Sequence, residues 1–144
     1  MNSPEMLHVT IPGEPHAQMR HRHANIGGHV RAYDPKASRN WKGYASDCMS
    51  VAMAGAAPLE GNIELTIRAF WECPVSKRLK RGLRPRCWRQ GRKDADNIAK
   101  AVQDAGNGVL WIDDRQIVRL MVEKIQAEQG SPPRTELLVR VLGE

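Results

Sequence analysis

The segment at residues 93–116, KDADNIAKAVQDAGNGVLWIDDRQ, constrains the fold of this chain more than any other. Asp96 belongs to a residue type that caps helices, because its carboxylate accepts hydrogen bonds from free backbone N–H groups. Apolar residues then recur at helical intervals, at Ile98, Ala101, Val102 and Ala105. Either Gly106 or the pair Asn107-Gly108 ends the pattern, because glycine tolerates the positive φ found at helix ends. The segment therefore predicts a helix of about three turns that begins near Asp96.

Carboxylates cluster around this predicted helix. Asp94 and Asp96 lie two residues apart, and in an extended segment leading into the helix they would point in the same direction. Lys100 follows Asp96 by four residues and Asp104 follows Lys100 by four, so these three side chains share one helical face. The pattern predicts an acidic face with a lysine at its centre.

A second acidic pair, Asp113-Asp114, follows the run VLWI at residues 109–112, which is apolar enough to be buried. The chain thus brings carboxylates to the same region twice. Crowded carboxylates repel one another, and one of them would hold a proton unless a cation lay between them. Oxygen ligands with a nearby ammonium are the groups with which Mg²⁺ or Mn²⁺ acts on phosphates. We therefore predict a metal site formed by Asp94, Asp96 and Asp114.

Lys100 is predicted to contact a phosphate oxygen or an attacking water beside that metal. An ordinary structural role is open to each residue: Asp96 as a helix cap, Lys100 and Asp104 as a surface pair, and Asp113-Asp114 as a polar turn. Asp94 gains nothing from capping, and the acidic cluster directly follows the most basic run of the chain. The metal-site interpretation is therefore the stronger one.

The chain is basic, with a net charge of +6 and an isoelectric point of about 9.6, so its field attracts anions. Nine basic residues follow one another without an intervening acid: Lys77, Arg78, Lys80, Arg81, Arg84, Arg86, Arg89, Arg92 and Lys93. Such a run can merely solvate a surface, but this density favours contact with nucleic-acid phosphates, whose counterions are released on binding. Its prolines and glycines predict a loop. Within it, Trp88 either stacks on a base or anchors the loop.

Residues 13–35 are predicted to form another loop, rich in basic side chains. The loop contains four histidines, His16, His21, His23 and His29. These could bind a metal, but their spacing matches no standard zinc site. We expect Arg20, Arg22 and Arg31, with any protonated histidine, to contact phosphate instead, and Tyr33 to pack or to stack on a base.

Alternating apolar and polar residues predict four strands, centred on residues 7–11, 63–69, 118–122 and 137–141. Helical spacing predicts a further helix from about residue 41 through 54, in which Trp41 and Tyr44 are core or covering residues. A length of 144 residues fits one domain over residues 1–144. We therefore expect an α+β fold, with a mixed sheet of about four strands and two main helices packed on it.

The hydrophobic content of 41% and the charged content of 26% are typical of a folded globular protein. No apolar run reaches membrane-spanning length, and the N-terminal residues MNSPEMLHVT lack the apolar core of a signal peptide. We therefore expect no membrane partner and a cytoplasmic location.

The motif KDADN at residues 93–97, with Lys100, Asp104 and the segment LWIDDRQ at residues 110–116, resembles the RusA family of Holliday junction resolvases, common in phages and prophages. The family pattern is D-x-D-N, a lysine one turn later, an aspartate another turn later, and then Trp-x-Asp-Asp with a nearby glutamine. This chain supplies every one of these elements. Many relatives have proline before the first aspartate, where this chain has Lys93, a change that adds charge without removing a ligand.

The resemblance implies a homodimer, bacterial or phage-encoded, that binds four-way DNA junctions and uses Mg²⁺ or Mn²⁺ to nick two strands symmetrically. By position, it implies that Asp94, Asp96 and Asp114 bind the metal and that Lys100 is catalytic, and it leaves the role of the adjacent Asp113 open. It also implies that Arg20, Arg22 and the nine basic residues of the run grip DNA. The alternatives are a non-catalytic module that binds DNA by its structure and a nuclease for flaps or replication forks.

Overall fold

Two helices pack on one face of a five-stranded mixed sheet in the computed structural model, which describes residues 6–144 except the side chains of Arg22 and Ile26. The strands are β1 (Met6–Pro12), β2 (Arg22–Ile26), β3 (His29–Tyr33), β4 (Asn62–Trp71), β5 (Cys87–Trp88), β6 (Ile117–Gln126) and β7 (Arg134–Leu142). The helices are α1 (Lys36–Met53) and α2 (Ala95–Gly106). The predicted α+β architecture is confirmed, with all four predicted strands and both predicted helices.

The main sheet has the strand order β1-β7-β4-β6-β5. β7 pairs antiparallel with both β1 and β4, whereas β4 and β6 are parallel, so the chain between them crosses over the sheet and contains α2. The two-residue strand β5, which the sequence did not predict, pairs only with Gln126 and Ile125 of β6. Residues 117–124 of β6 therefore form an open sheet edge within the described residues.

The core lies between the sheet and the two helices. Alternate residues of β4, from Ile63 to Ala69, are fully buried and face the helices, as the two-residue period of a strand requires. Each buried Ile or Leu side chain stabilises the fold by about 1.5–3 kcal/mol relative to its exposed state. Trp41 packs against this core as predicted, but Tyr44 is exposed, so the covering role expected for Tyr44 is wrong.

The prediction that residues 13–35 form a loop is wrong, because β2 and β3 pair there as an antiparallel hairpin. Gly27 and Gly28 form its two-residue turn, and both have positive φ, as a tight hairpin turn requires. The hairpin forms its own two-stranded sheet, and every side chain of β3 is exposed. A strand that buries neither face carries no apolar alternation, so the Gly-Gly pair was the available signal.

Candidate active site

The N-terminus of α2 holds two carboxylates with no other role. Asp94 occupies the N-cap position and Asp96 lies in the first turn, so the expectation that Asp96 caps the helix is wrong by two residues. The side chain of Asp94 makes no capping hydrogen bond, and both residues are exposed. Within residues 6–144, neither carboxylate has an ion-pair or hydrogen-bond partner. Both are close to the positive end of the helix dipole, which favours negative charge.

Gly106 and Trp111 fix the path of the chain beyond α2. The Trp111 ring is fully buried so close to Gly106 that a Cβ at this position would overlap it. Trp111 Nε1 donates a hydrogen bond to Asn107 Oδ1 at 3.0 Å. Gly106 therefore ends the helix by allowing close packing, and Gly108, at φ +78°, supplies the positive φ. In the run at residues 109–112, Leu110 and Trp111 are buried as predicted, but Ile112 is 61% exposed, contrary to the prediction.

The adjacent aspartates Asp113 and Asp114 have different environments. Asp113 caps the 3₁₀ turn Asp114–Gln116, and its Oδ1 accepts a hydrogen bond from the Arg115 N–H at 2.9 Å. Gln116 closes the same turn, because its Oε1 accepts hydrogen bonds from the N–H groups of Ile112 and Asp113. Asp113 therefore has a structural role, whereas the Asp114 carboxylate has no partner in the described part of the chain and faces a cavity.

That cavity, which we call the acidic cavity, has a volume of about 300 Å³. It is lined by Asp96, Ala99, Lys100, Gln103, Asp104, Asp114 and Leu120. The fold thus brings together Asp96, Lys100 and Asp114, three of the four predicted catalytic residues. Asp94 lies at the start of the same helix but does not line the cavity.

Asp104 is held by a residue that the sequence did not single out. Lys42 of α1 places its Nζ 3.7 Å from Asp104 Oδ2 and 2.5 Å from Asp34 Oδ2. Burial alone would raise the pKa of Asp34, but hydrogen bonds from Lys42 and Gln18 hold it below its usual range. The contact joins two helices and a strand end, so no spacing within one element could have predicted it.

The donor set of the acidic cavity suits a hard divalent cation, because Asp96, Asp104 and Asp114 offer only carboxylate oxygens. Among the described residues, no three His, Cys, Asp or Glu side chains converge closely enough to hold one ion. The three carboxylates therefore share a cavity without forming a complete coordination shell.

The basic run is divided between structural and free side chains. Arg78 pairs with Glu72 at 3.2 Å, Arg84 donates to the Lys77 carbonyl, Arg86 pairs with Glu128 at 3.0 Å, and Arg89 lies over the Trp71 ring. The other basic residues make no side-chain ion pair or hydrogen bond in the region that the structure describes; they are Lys77, Lys80, Arg81, Arg92 and Lys93.

Contacts from the neighbouring turn order the basic run. Gln129 Oε1 accepts hydrogen bonds from the N–H groups of Leu79 and Arg84, and Gln129 Nε2 donates to the Leu79 carbonyl. The Glu128 backbone N–H and Arg86 lower the pKa of the Glu128 carboxyl to about 2. Trp88 is 74% exposed, so its ring does not anchor the run in the core, and the anchoring alternative is wrong.

The hairpin base lies beside α2. A second cavity of about 280 Å³, which we call the basic cavity, is lined by Gln18, Met19, Arg20, His21, Asn97 and Lys100. The predicted DNA contact Arg22 has a side chain outside the described residues. His16 bonds to Ser38 Oγ at 2.8 Å and stacks on Trp41, and burial together with nearby Lys93 and Lys42 lowers its pKa despite the opposing effect of Asp34.

The described helices include no segment that is both long and apolar enough to cross a membrane.

Comparisons with known proteins agree with this arrangement. A family profile described as Endodeoxyribonuclease RusA matches residues 12–140. The chain is 30% identical over 145 residues to the Bacillus subtilis (strain 168) protein named "Uncharacterized protein YqaN". That match covers 94% of this chain and 96% of the relative. The chain therefore belongs to the RusA endodeoxyribonuclease family.

Proposed function

We propose that the protein is a divalent-metal-dependent endonuclease that resolves four-way DNA junctions by paired, symmetric hydrolysis of phosphodiester bonds. The observation that carries the proposal is the acidic cavity, where Asp96 and Lys100 of α2 meet Asp114 from the 3₁₀ turn. Membership of the RusA family supports the same substrate class. The free basic side chains of the neighbouring run supply the charge that a phosphate backbone requires.

In this proposal Asp94, Asp96 and Asp114 hold Mg²⁺ or Mn²⁺, and Asp104 supports the same cavity. The chemistry that such a cation supplies is polarisation of the scissile phosphate and a lowered pKa of the attacking water. The exposed side chains of Asp94 and Asp96 are free to rotate, so their carboxylates can turn towards Asp114 without any change in the backbone. Mutual repulsion of these carboxylates opposes that arrangement until a cation is bound.

Lys100 stabilises negative charge in the reaction. It lies one turn after Asp96 on α2 and lines the acidic cavity, so its ammonium is close to the carboxylates and to any phosphate that they attract. A fixed cation placed where charge develops on a phosphoryl group lowers the barrier to hydrolysis. Lys42 has a positioning role, because it contacts Asp104 from the adjacent helix.

The open edge of β6 supports a homodimer. Val118, Leu120 and Met121 are exposed on this edge, and an unpaired edge with apolar side chains is a surface on which another strand can pair. Antiparallel pairing of two copies about Met121 would set Arg119 of each copy opposite Glu123 of the other. A two-fold dimer presents two sites related by symmetry, as paired nicks in a junction require.

The decisive experiment compares the wild type with Asp96→Asn on a four-way junction, with a flap and a plain duplex as further substrates. In Mg²⁺, we expect the wild type to cut the junction and the substitution to lower the rate by at least about a hundredfold. Junction binding should persist or tighten, because repulsion between carboxylate and phosphate is relieved. Wild-type cutting by Asp96→Asn would refute the assignment, and cutting of the flap alone would change the substrate.

A non-catalytic DNA-binding module is the second candidate, favoured by the absence of three converging metal ligands among the described residues. That candidate predicts DNA binding that falls steeply with salt and ignores divalent metal. The nuclease predicts that Mg²⁺ or Mn²⁺ raises the melting temperature, because a ligand bound only by the folded state stabilises it. A melting temperature that is independent of both ions, together with no cutting, would favour the module.

A further inference from the structure

We propose that the base of the hairpin and α2 form a second phosphate site, which holds the DNA backbone phosphate next to the scissile one. This inference rests on the proposed nuclease function and adds to it a defined contact with the substrate. Its residues are Arg20, His21, Asn97 and Lys100, all of which line the basic cavity.

The chemistry of the basic cavity suits an anion. A guanidinium, an imidazole, a primary amide and an ammonium surround it, and no carboxylate belongs to its lining. Arg20 offers several N–H donors in a planar arrangement that matches phosphate oxygens. Arg20 and Lys100 together place two positive charges at the cavity without a compensating acid.

Lys100 links the two cavities, because it lines both of them. It lies four residues after Asp96 and three after Asn97, and both spacings place side chains next to one another on a helix. Lys100 therefore forms a ridge with the acidic cavity on the side of Asp96 and the basic cavity on the side of Asn97. Consecutive phosphates of one DNA strand are about 3.4 Å apart along the duplex axis, so two adjoining cavities can hold neighbouring phosphates.

Buried contacts fix the segment that carries Arg20 and His21. The Gln18 N–H donates to the Asn97 carbonyl at 2.9 Å, which ties the hairpin base directly to α2. Gln18 is only 7% exposed, and its Nε2 donates to Asp34 Oδ1 at 2.6 Å. The Met19 N–H donates to the fully buried Ser38 Oγ at 3.1 Å. The cavity is therefore held in place before DNA binds, because the main chain on both sides of it is hydrogen-bonded to buried partners.

The test is a phosphate-neutralisation scan on two variants. Single methylphosphonates are placed at successive positions of one strand of a four-way junction, and affinity is measured by fluorescence anisotropy in EDTA, where cutting cannot interfere. Arg20→Gln is the test variant. Arg31→Gln is the matched control, because it removes the same charge from the same hairpin but leaves the cavity lining intact.

The expected result is specific to position. For the wild type, one methylphosphonate should weaken binding about tenfold, the size of one lost hydrogen bond between charged groups. Arg20→Gln should show about the same loss on unmodified DNA and no further loss with that methylphosphonate, whereas Arg31→Gln should stay sensitive to it. Cutting by the wild type in Mg²⁺ then locates the scissile bond, and the masked phosphate should be its immediate neighbour.

Two results would overturn the second phosphate site: an Arg20→Gln variant as sensitive as the control at every position, or a masked phosphate two or more nucleotides from the cut. These results differ from failure of the proposed function, in which the wild type cuts no branched DNA in Mg²⁺ or Mn²⁺. In that case, masking by Arg20→Gln alone would still establish a phosphate site, and its absence would refute one.

Discussion

The acidic turn after α2 and the basic run before it divide their charged residues in the same way. In the acidic turn, Asp113 caps the backbone while Asp114 is free in the acidic cavity. In the basic run, Arg86 is paired with Glu128 while Arg81 has no ion pair among residues 6–144. The comparison teaches that charge density locates a functional region, but hydrogen bonds decide which of its side chains remain available to a ligand.

The sharpest test of this comparison exchanges each adjacent aspartate for asparagine. Asp114→Asn should lower junction cutting by at least about a hundredfold, because it removes a metal ligand. Asp113→Asn should change cutting less than about twofold, because asparagine is an equally good N-cap and preserves the turn. Initial rates in Mg²⁺ measure both. Equal losses in the two variants would show that the turn, and not the Asp114 carboxylate, is what the reaction needs.

A smaller effect should separate Arg81 from Arg86. Arg81→Gln should reduce the slope of log affinity against log salt by about 0.9, the contribution of one phosphate contact. It should leave the free energy of unfolding unchanged. Arg86→Gln should instead lower that free energy by about 1 kcal/mol, because it loses a half-exposed ion pair with Glu128 and a contact over Phe70.

Junction titrations at several KCl concentrations and urea unfolding provide the two measurements. If Arg86→Gln changed only the salt slope, Arg86 would belong with the free residues, and the division of the basic run would be wrong.

The smallest effect is a dependence of stability on pH. The folded-state pKa of Glu128 is about 2, below its usual 4.5, so the unfolded chain binds the proton more tightly. The stabilisation from Glu128 is therefore fully present above about pH 4.5 and is lost as pH falls towards 2. Glu128→Gln should be less stable than the wild type at pH 6 and nearly equal to it at pH 2. Urea unfolding at both values measures the difference, and a constant difference would remove Glu128 from the account.

Sequence patterns predicted the elements that bury an apolar face. The alternation in β4 and β7 and the helical spacing in α2 follow from burial of one face, so they could be read directly. The β2–β3 hairpin buries no face and was missed, and the open edge of β6 exposes the Val118 and Leu120 side chains that its alternation placed inside.

The candidate site was predictable only in part. Asp96, Lys100 and Asp114 carry a recognisable spacing, and the structure brings them to one cavity. The contact of Lys42 with Asp104 and the approach of Gln18 to Asn97 join elements far apart in the chain, so they depend on tertiary packing. The separate roles of Asp113 and Asp114 likewise depend on a turn whose geometry no local spacing specifies.

The crossover between the parallel strands β4 and β6 has a consequence for how such a protein can change over time. The basic run, α2 and the acidic turn all belong to this one connection, while the hydrogen-bonding of β4 with β6 and β7 is independent of its composition. Cutting chemistry and most of the DNA grip are thus inherited as a single exchangeable cassette. A homologous crossover transplanted between two such strands would bring both with it, leaving only the hairpin base to be matched.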